Sequence, residues 1–392
     1  MDLYAKCRRF KAAQNLMAAG CYPYFHPIES PQEPEIVVHG RRMIMIGSNN
    51  YLGLSTHPKV KEAARLALER YGTGCGGSRF LNGTQDLHEE LEWKLARFKG
   101  REAALLFSTG FQTNLGILSA LGGKGDVLIA DRWDHASIVD GCRLSFGQTR
   151  RFRHNDMADL ERVLARSGKR GKLIVVDGVF SMEGDIANLP EIVRLARKYK
   201  ARIMLDDAHA TGILGKSGRG TAEHFGLEQE VDLVMGTCSK VLASIGGFVA
   251  GRAEVIHYIQ HHARSLIFSA SLPPPCVSAI SAALDVIEAE PERRERLWEN
   301  AERMRQGLTA LGFDTGLSKT PIIPVIFGEN RLVFQFWKLL YDEGIFSNPA
   351  VTPAVPKGRA LIRTSYMATH TAIQLDRVLE AFRKVGKRLG VI

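Results

Sequence analysis

Short apolar runs alternate with longer amphipathic segments through the middle of the chain. The short runs predict buried strands at Ala103–Phe107, Val127–Ala130, Leu173–Asp177, Arg202–Leu205, Leu233–Met235 and Gly247–Ala250. Amphipathic segments between them predict helices at Leu115–Leu121, Ala136–Phe146, Asp156–Arg166 and Glu191–Tyr199. This alternation predicts an α/β fold, with a mostly parallel sheet wrapped by helices.

The pattern differs on either side of this region. Residues 1–45 predict a helix, a crossing punctuated by prolines, and a short strand over Glu35–Val38. Beyond Pro273 a long helical stretch, broken near Pro291, ends near Leu311. The remainder predicts strand, helix, strand and helix, at Ile322–Phe327, Arg331–Glu343, Ala360–Ser365 and Thr371–Leu389. We therefore expect an N-terminal segment (1–45), a large α/β domain (46–285) and a small C-terminal α+β domain (286–392).

Composition narrows the class of protein. Of 392 residues, 45% are apolar and 24% are charged, which is ordinary for a globular chain and excludes a disordered one. No run approaches the roughly 18 apolar residues of a membrane-spanning helix, and the opening residues lack the apolar core of a signal peptide. We expect a cytoplasmic protein. The six cysteines are scattered without zinc-binding spacing, so buried thiols are expected.

The net charge of +10 raises the possibility of nucleic-acid binding. The basic residues are spread along the chain, however, so solvated faces explain them better and no nucleic-acid partner is expected. The positive excess could still steer an anionic substrate or an acidic carrier protein.

Four local clusters could carry chemistry, although each has an ordinary structural explanation. The first, Ser108–Asn114, follows a strand and opens a helix, so its backbone N–H groups could bind a phosphate. The second places His135 in a loop before a helix. The third places Asp206 at the carboxyl end of a strand, where ligands of open α/β sheets bind. The fourth places Lys240 among small residues, where desolvation would favour a neutral amine.

Together the four clusters indicate pyridoxal phosphate chemistry: a phosphate turn, a stacking ring, an acid for the pyridine nitrogen and a Schiff-base lysine. The pair Asp206-Asp207 with His209 could instead suggest a divalent metal, but nothing nearby completes a shell, and no metal is expected. The Gly-rich stretch 72–79 follows a helical pattern and not a strand, which argues against a dinucleotide fingerprint.

Taken together, these motifs resemble those of a known family, the α-oxoamine synthases, which condense an amino acid with an acyl thioester and release CO₂. The resemblance runs from about residue 45 to 370. The motifs that carry it are Asn49–Leu54, the Gly72–Thr84 run, Asp134–Ser137, Gly178–Asp185, Asp206–His209, Gly236–Lys240, Arg363 and Met367–His370. It implies the aspartate-aminotransferase-like architecture called fold type I, with pyridoxal 5'-phosphate as the cofactor.

The resemblance also implies roles for individual residues. Lys240 is expected to form the Schiff base and to act as acid and base at Cα. Asp206 would pair with the pyridinium nitrogen, His135 would stack on the ring, and His209 with Ser181 would contact its phenolic oxygen. The phosphate would be held by Gly110, Phe111, Thr237 and Ser239, with Ser269 and Ala270 reaching it from a partner subunit. Arg363 would bind the substrate carboxylate, and Asn49 would lie close to the bound amino acid.

Within the family, the chain is most similar to the bacterial serine palmitoyltransferases, through runs at residues 21–30, 78–84, 154–160 and 242–248. This implies L-serine and a long-chain acyl-CoA as substrates, 3-ketodihydrosphingosine as product, a homodimer with shared active sites, and possible peripheral membrane contact. The alternatives are 8-amino-7-oxononanoate synthase, glycine C-acetyltransferase, and a natural-product synthase that uses a carrier-protein thioester. A pyridoxal-phosphate-sensing transcription regulator would need a DNA-binding domain, for which residues 1–45 leave no room.

Overall fold

A computed structural model describes residues 2–392. The chain forms two compact units. The larger comprises Asn49–Ser181 and Asp185–Glu295, and the smaller comprises the stretch ending at Ser48, Met182–Gly184 and Arg296–Ile392. The N-terminal segment therefore counts with the smaller unit.

The helices in chain order are α1 Ala5–Arg9, α2 Ala12–Ala18, α3 Pro58–Tyr71, α4 Asp86–Lys99, α5 Gly110–Leu121, α6 Ala136–Leu144, α7 Met157–Arg166, α8 Leu189–Tyr199, α9 Thr221–His224, α10 Ala253–His262, α11 Arg264–Ile267, α12 Pro274–Ala289, α13 Glu292–Ala310, α14 Asn330–Asp342 and α15 Ala372–Leu389. The strands are β1 Glu35–Val38, β2 Arg41–Met45, β3 Ala103–Phe107, β4 Val127–Asp131, β5 Gln148–Phe152, β6 Lys172–Asp177, β7 Arg202–Asp206, β8 Leu233–Thr237, β9 Gly247–Gly251, β10 Ile322–Gly328, β11 Ile345–Phe346, β12 Asn348–Ala350 and β13 Ala360–Ser365.

A seven-stranded sheet forms the centre of the larger unit, in the order β3-β9-β8-β7-β6-β4-β5. From β8 to β5 all neighbours are parallel, and only β9 runs antiparallel to both β3 and β8. Every residue of β4, β6, β8 and β9 is buried, as expected when helices cover both faces. The prediction of an α/β unit around a mostly parallel sheet is confirmed.

The parallel strands end at one edge of this sheet, and four of them have a polar last residue. Asp131 ends β4, Asp177 ends β6, Asp206 ends β7 and Thr237 ends β8. Strand pairing holds these ends side by side, since Asp177 lies opposite Asp206 across β6 and β7. Chemistry-bearing residues are thereby concentrated at this edge.

Four strands were missed in the sequence pattern, namely β2, β5, β11 and β12. The sequence of β5 is Gln-Thr-Arg-Arg-Phe, and only Phe152 is fully buried, because β5 is the edge strand of the sheet. Strand β2 pairs antiparallel with β1 and begins with two exposed arginines. Helix α5 begins at Gly110, five residues before the predicted helix, because Thr109 caps it.

The smaller unit has two three-stranded sheets, β1-β2-β11 and the antiparallel β10-β13-β12. Its core includes the buried rings of Phe336, Trp337 and Phe382 on α14 and α15. The predicted strands at Ile322–Phe327 and Ala360–Ser365 and the helices after them are confirmed, with ends shifted by one residue at most.

No helix within residues 2–392 is long and apolar enough to cross a membrane. The same residues contain no group of three or more His, Cys, Asp or Glu side chains arranged to hold a metal ion.

Candidate active site

A cavity of about 310 Å³ opens in the larger unit, where the parallel strands end. Most of the residues expected to bind a cofactor line it: Gly110, Phe111, His135, Ser181, Asp206, His209, Thr237, Ser239 and Lys240. They come from separate strand ends and loops, and the sheet brings them together.

The N-terminus of α5 forms one wall of the cavity. The side chain of Thr109 caps this helix and accepts a hydrogen bond from the Gln112 N–H at 3.1 Å. A Cβ at Gly110 would lie 2.7 Å from Thr237 Oγ1, so only glycine leaves the space between them open. Thr237 Oγ1 lies 2.9 Å from Ser239 Oγ. Hydroxyls and a helix N-terminus around one open space suit a phosphate group.

Asp206 is the fixed carboxylate of the cavity and is only 4% exposed. Its Oδ2 accepts a hydrogen bond from Asn114 Nδ2 at 2.7 Å, and its Oδ1 accepts one from the Ala208 N–H at 2.9 Å. Asn114 is held in turn by a second bond, from its Nδ2 to Ser137 Oγ at 2.9 Å. The carboxylate therefore keeps one orientation toward the cavity.

His135 is the N-cap of α6. Its Nδ1 accepts a hydrogen bond from the Ser137 N–H at 3.2 Å, which leaves the ring proton on Nε2. Loss of solvent around the ring lowers the pKa of His135, against the attraction of Asp206, so the imidazole is neutral at pH 7. The ring meets Phe111 edge to face at 6.2 Å. A neutral, oriented ring is suited to stacking.

His209 contacts a residue that the sequence did not single out. Tyr51, which is fully buried, has its hydroxyl 2.8 Å from His209 Nδ1. The same hydroxyl donates to Asn49 Oδ1 at 3.2 Å. Tyr51 thus connects His209 with Asn49, the expected neighbour of the substrate. Its place in the Asn49–Leu54 motif was the sequence signal that could have identified it.

Two further carboxyls near the cavity were also missed. Burial, and then the charge of Asp206, raise the pKa of Asp177, which lines the cavity. Burial, and then the charge of Asp131, raise the pKa of Asp134. Asp177 Oδ2 accepts the His135 N–H at 3.2 Å, and Asp134 Oδ1 accepts the Asp177 N–H at 3.0 Å. These acids hold the His135 loop against the end of β6.

The other expected site residues lie outside the cavity lining. Ser269 Oγ accepts a hydrogen bond from Gln112 Nε2 at 3.1 Å, and the Ala270 carbonyl accepts one from Ser108 Oγ. Arg363 lies on β13 of the smaller unit and is 5% exposed.

Comparison with known proteins gives consistent results. The family model for aminotransferase class I and II matches residues 41–382. The serine palmitoyltransferase of Sphingobacterium spiritivorum is 51% identical over 99% of this chain and 98% of its own. An 8-amino-7-oxononanoate synthase of Thermoanaerobacter pseudethanolicus is 48% identical, over 97% of this chain and 96% of its own. A serine palmitoyltransferase structure that contains PLP superimposes with a TM-score of 0.97 at 40% identity, and both chains are covered in full.

Proposed function

The chain belongs to the aminotransferase class I and II family, and from this premise we propose that it is a pyridoxal-phosphate-dependent serine palmitoyltransferase. In the proposed reaction, L-serine and palmitoyl-CoA give 3-ketodihydrosphingosine, CoA and CO₂. The observation that carries the proposal is the 51% identity with a serine palmitoyltransferase over 99% of the chain.

The cavity residues fit pyridoxal phosphate. The opening that Gly110 leaves beside Thr237 and Ser239 would hold the phosphate. Asp206, oriented by Asn114, would hold the pyridine nitrogen. Lys240 lines the same cavity and would anchor the aldehyde. Bound there, the cofactor supplies an electron sink that stabilises negative charge at Cα of an amino acid.

The chain's own residues would direct that chemistry. Lys240 Nζ would accept the proton that leaves Cα and later return one. His135 would cover one face of the ring as a neutral imidazole, so it adds no charge that competes with Asp206. His209, whose Nδ1 lies 2.8 Å from the Tyr51 hydroxyl, would orient the phenolic oxygen together with Ser181.

The substrates would be held by residues beyond the ring. We propose that the Arg363 guanidinium binds the serine carboxylate. Asn49 would lie close to the bound amino acid. In the balanced reaction, a bond forms between Cα of serine and the acyl carbon, the thiol leaves, and the serine carboxylate departs as CO₂. A proton then returns to Cα.

We propose further that the enzyme is a homodimer in which Ser269 and Ala270 reach the phosphate of the partner subunit. A long-chain acyl product also favours contact with a bilayer surface. The positive net charge of +10 would assist contact with anionic lipids and with the phosphates of CoA.

A second candidate function is 8-amino-7-oxononanoate synthase, which condenses alanine with a pimeloyl thioester. The observation that favours it is the 48% identity with such an enzyme over 97% of the chain. The two activities share the proposed cofactor chemistry and differ in the amino acid and acyl group.

The test is an absorbance titration of the protein purified with pyridoxal phosphate. We expect a band near ~420 nm that changes saturably with L-serine, and CoA release with palmitoyl-CoA. The variant K240A should lack the band. Saturation by L-alanine with pimeloyl-CoA would favour the second candidate, and saturation by glycine would indicate glycine C-acetyltransferase. Turnover only with an acyl carrier protein would indicate a natural-product synthase, and a wild-type protein without any band would refute the cofactor assignment.

A further inference from the structure

One motif of the sequence has no role in the proposed reaction, namely the run that begins His154-Asn155, two residues after the end of β5. The His154 ring is mostly buried, with a contact at each nitrogen and two aromatic neighbours. Its Nδ1 lies 3.1 Å from Asp131 Oδ1 and its Nε2 lies 3.0 Å from Asp185 Oδ2. One face stacks on Trp133 at 3.8 Å, and the Phe180 ring meets it edge to face at 4.4 Å.

This arrangement specifies the charge of the ring. A carboxylate oxygen only accepts hydrogen bonds, so two carboxylates require a donor at each ring nitrogen, which is the protonated imidazole. Burial opposes the charge, but the hydrogen bonds and charges of Asp131 and Asp185 prevail and raise the pKa of His154 to about 9. The side chain of His154 is only 14% exposed and that of Asp131 is 1% exposed, so water screens the three charges little.

The two carboxylates belong to different loops at the cavity. Asp131 starts the loop that leads to His135, and its N–H donates to Asp134 Oδ2 at 2.7 Å. Asp185 closes the turn that carries Ser181, since its carbonyl accepts the Phe180 N–H at 3.0 Å. The second oxygen of Asp185, Oδ1, is buried and has no hydrogen-bond partner. Asp185 is therefore oriented mainly through the oxygen that faces His154.

The residue after His154 supports both contacts. Asn155 has a positive φ of 49°, which turns its N–H toward Asp131 Oδ2 at 2.8 Å and its amide toward the turn. Asn155 Nδ2 donates to Asp185 Oδ2 at 3.2 Å and to the Ile186 carbonyl at 3.0 Å. Two consecutive residues that follow β5 thus contact both loops.

We propose that His154 is a positioning residue, which links Asp131 and Asp185 and so fixes the two loops that present His135 and Ser181 to the cofactor cavity. This inference rests on the proposed function for its effect on catalysis. His154 itself does not line the cavity.

The test compares H154Q with H262Q in the full-length holoenzyme. His262 is a suitable control, because it also stacks on an aromatic ring, Tyr258 at 3.9 Å, but is exposed on α10. In H154Q we expect pyridoxal phosphate to bind about tenfold more weakly and kcat to fall by about ten- to a hundredfold, because small displacements of positioned groups have effects of that size. The absorbance band of the bound cofactor should shift, while H262Q should match the wild type.

Wild-type cofactor affinity, kcat and absorbance in a folded H154Q would overturn the proposal. A wild-type protein that binds no pyridoxal phosphate would instead refute the proposed function, so the two failures are distinguishable.

A second measurement decides the matter if H154Q does not fold. A protonated imidazole stacked on an indole quenches its fluorescence, so emission from the cofactor-free wild-type chain should rise with a midpoint near pH 9. This transition should be absent in W133F, which retains the other three tryptophans. A Trp133-dependent midpoint near the ordinary histidine value, or no such transition, would show that His154 does not carry its charge between the two carboxylates.

Discussion

Asn114 illustrates how an uncharged side chain can control a charged one. Its amide donates to Asp206 Oδ2 at 2.7 Å, and replacement by alanine would leave that buried oxygen without its donor. A hydrogen bond to a charged group contributes about 1.5–3 kcal/mol, so N114A should weaken pyridoxal phosphate binding by at least about tenfold. Titration of the cofactor-free protein with pyridoxal phosphate measures this affinity. N15A, on the exposed helix α2, is the control, and equal affinities would contradict the role of Asn114.

Gly110 is required for a different reason, the space it leaves. An alanine Cβ would lie 2.7 Å from Thr237 Oγ1 and 3.0 Å from its Cβ, inside the proposed phosphate site. Because Thr237 must shift to make room for this Cβ, G110A should remain folded with a modestly lower melting temperature. It should nevertheless bind pyridoxal phosphate at least about tenfold more weakly, since a displaced positioning group has effects of this size. G74A, where an added Cβ meets nothing within 4 Å, should bind normally.

At the residue scale, the sequence identified the groups that carry recognisable chemistry but not their supports. Lys240, Asp206 and His135 stand out because each follows a predicted strand within a motif. Asn114, Tyr51 and Asp177 also lie in a motif or at the end of a predicted strand, but nothing in the sequence indicates their roles, because an amide, a phenol or an acid at a strand end is common in any α/β protein. Their contacts join residues far apart in the chain, as when Tyr51 reaches His209.

At the element scale, a buried ion pair joins the last turn of α4 to the loop after β7. Lys99 Nζ lies 3.3 Å from Asp207 Oδ2 and donates to Thr211 Oγ1 at 2.8 Å, and both charged side chains are 1% exposed. Removing one partner of a buried pair costs about 3–5 kcal/mol, because the other charge stays unpaired. K99M should therefore lower the melting temperature markedly.

The double variant K99M/D207N should recover part of that loss, since it leaves no unpaired buried charge. R97M removes an exposed basic side chain from the same helix and should change the melting temperature little. A melting temperature of K99M equal to that of R97M would contradict this reading of the pair.

The strands predicted correctly and those missed differ in their position in the sheet. β4 and β6 are covered on both faces, so every side chain is buried and the apolar run is unmistakable. β5 is an edge strand with one neighbour, and four of its five residues are exposed or half-buried, so it carries no apolar pattern. Strand β11 has two residues, too few for any periodicity. Such elements are specified by pairing with distant strands and not by local sequence.

His370 in the smaller unit gives a pH dependence of stability. Its Nδ1 accepts the Met367 N–H at 2.9 Å and its Nε2 lies 3.0 Å from the Met45 carbonyl, while burial lowers its pKa from 6.5 to about 4. The unfolded chain therefore binds the proton first. This residue's contribution to stability is complete above pH 6.5 and is lost as pH falls toward 4, by about 3 kcal/mol in total.

Urea unfolding at pH 7.5 and pH 4.5 tests whether stability falls on acidification as His370 predicts. The wild type should lose more stability on acidification than H370Q, which has no imidazole to protonate, even though H370Q starts from a lower stability at pH 7.5. An equal acid-induced loss in both proteins would show that His370 does not titrate in this range.

At the scale of the whole molecule, the proposed homodimer requires that two chains complete each active site. Ala270 is exposed and Phe268, two residues before it, is 73% exposed, so this segment is accessible to a partner. If Ala270 approaches the partner's phosphate, a glutamate there would repel the cofactor of the other subunit. A270E should then be inactive because each chain disrupts the partner's site. K240A should be inactive because each chain lacks the lysine of its own site.

Mixing the two inactive variants tests shared sites directly. A mixed dimer has one site that combines Lys240 from the A270E chain with Ala270 from the K240A chain, and that site is intact. Random reassortment makes about half of the dimers mixed, so about a quarter of all sites, and of wild-type activity, should return. If each chain formed its own site, a dimer would gain nothing from mixing. Activity that stays at zero, although native mass spectrometry of chains of different mass shows that mixed dimers have formed, would exclude a role for Ala270 in the partner's site.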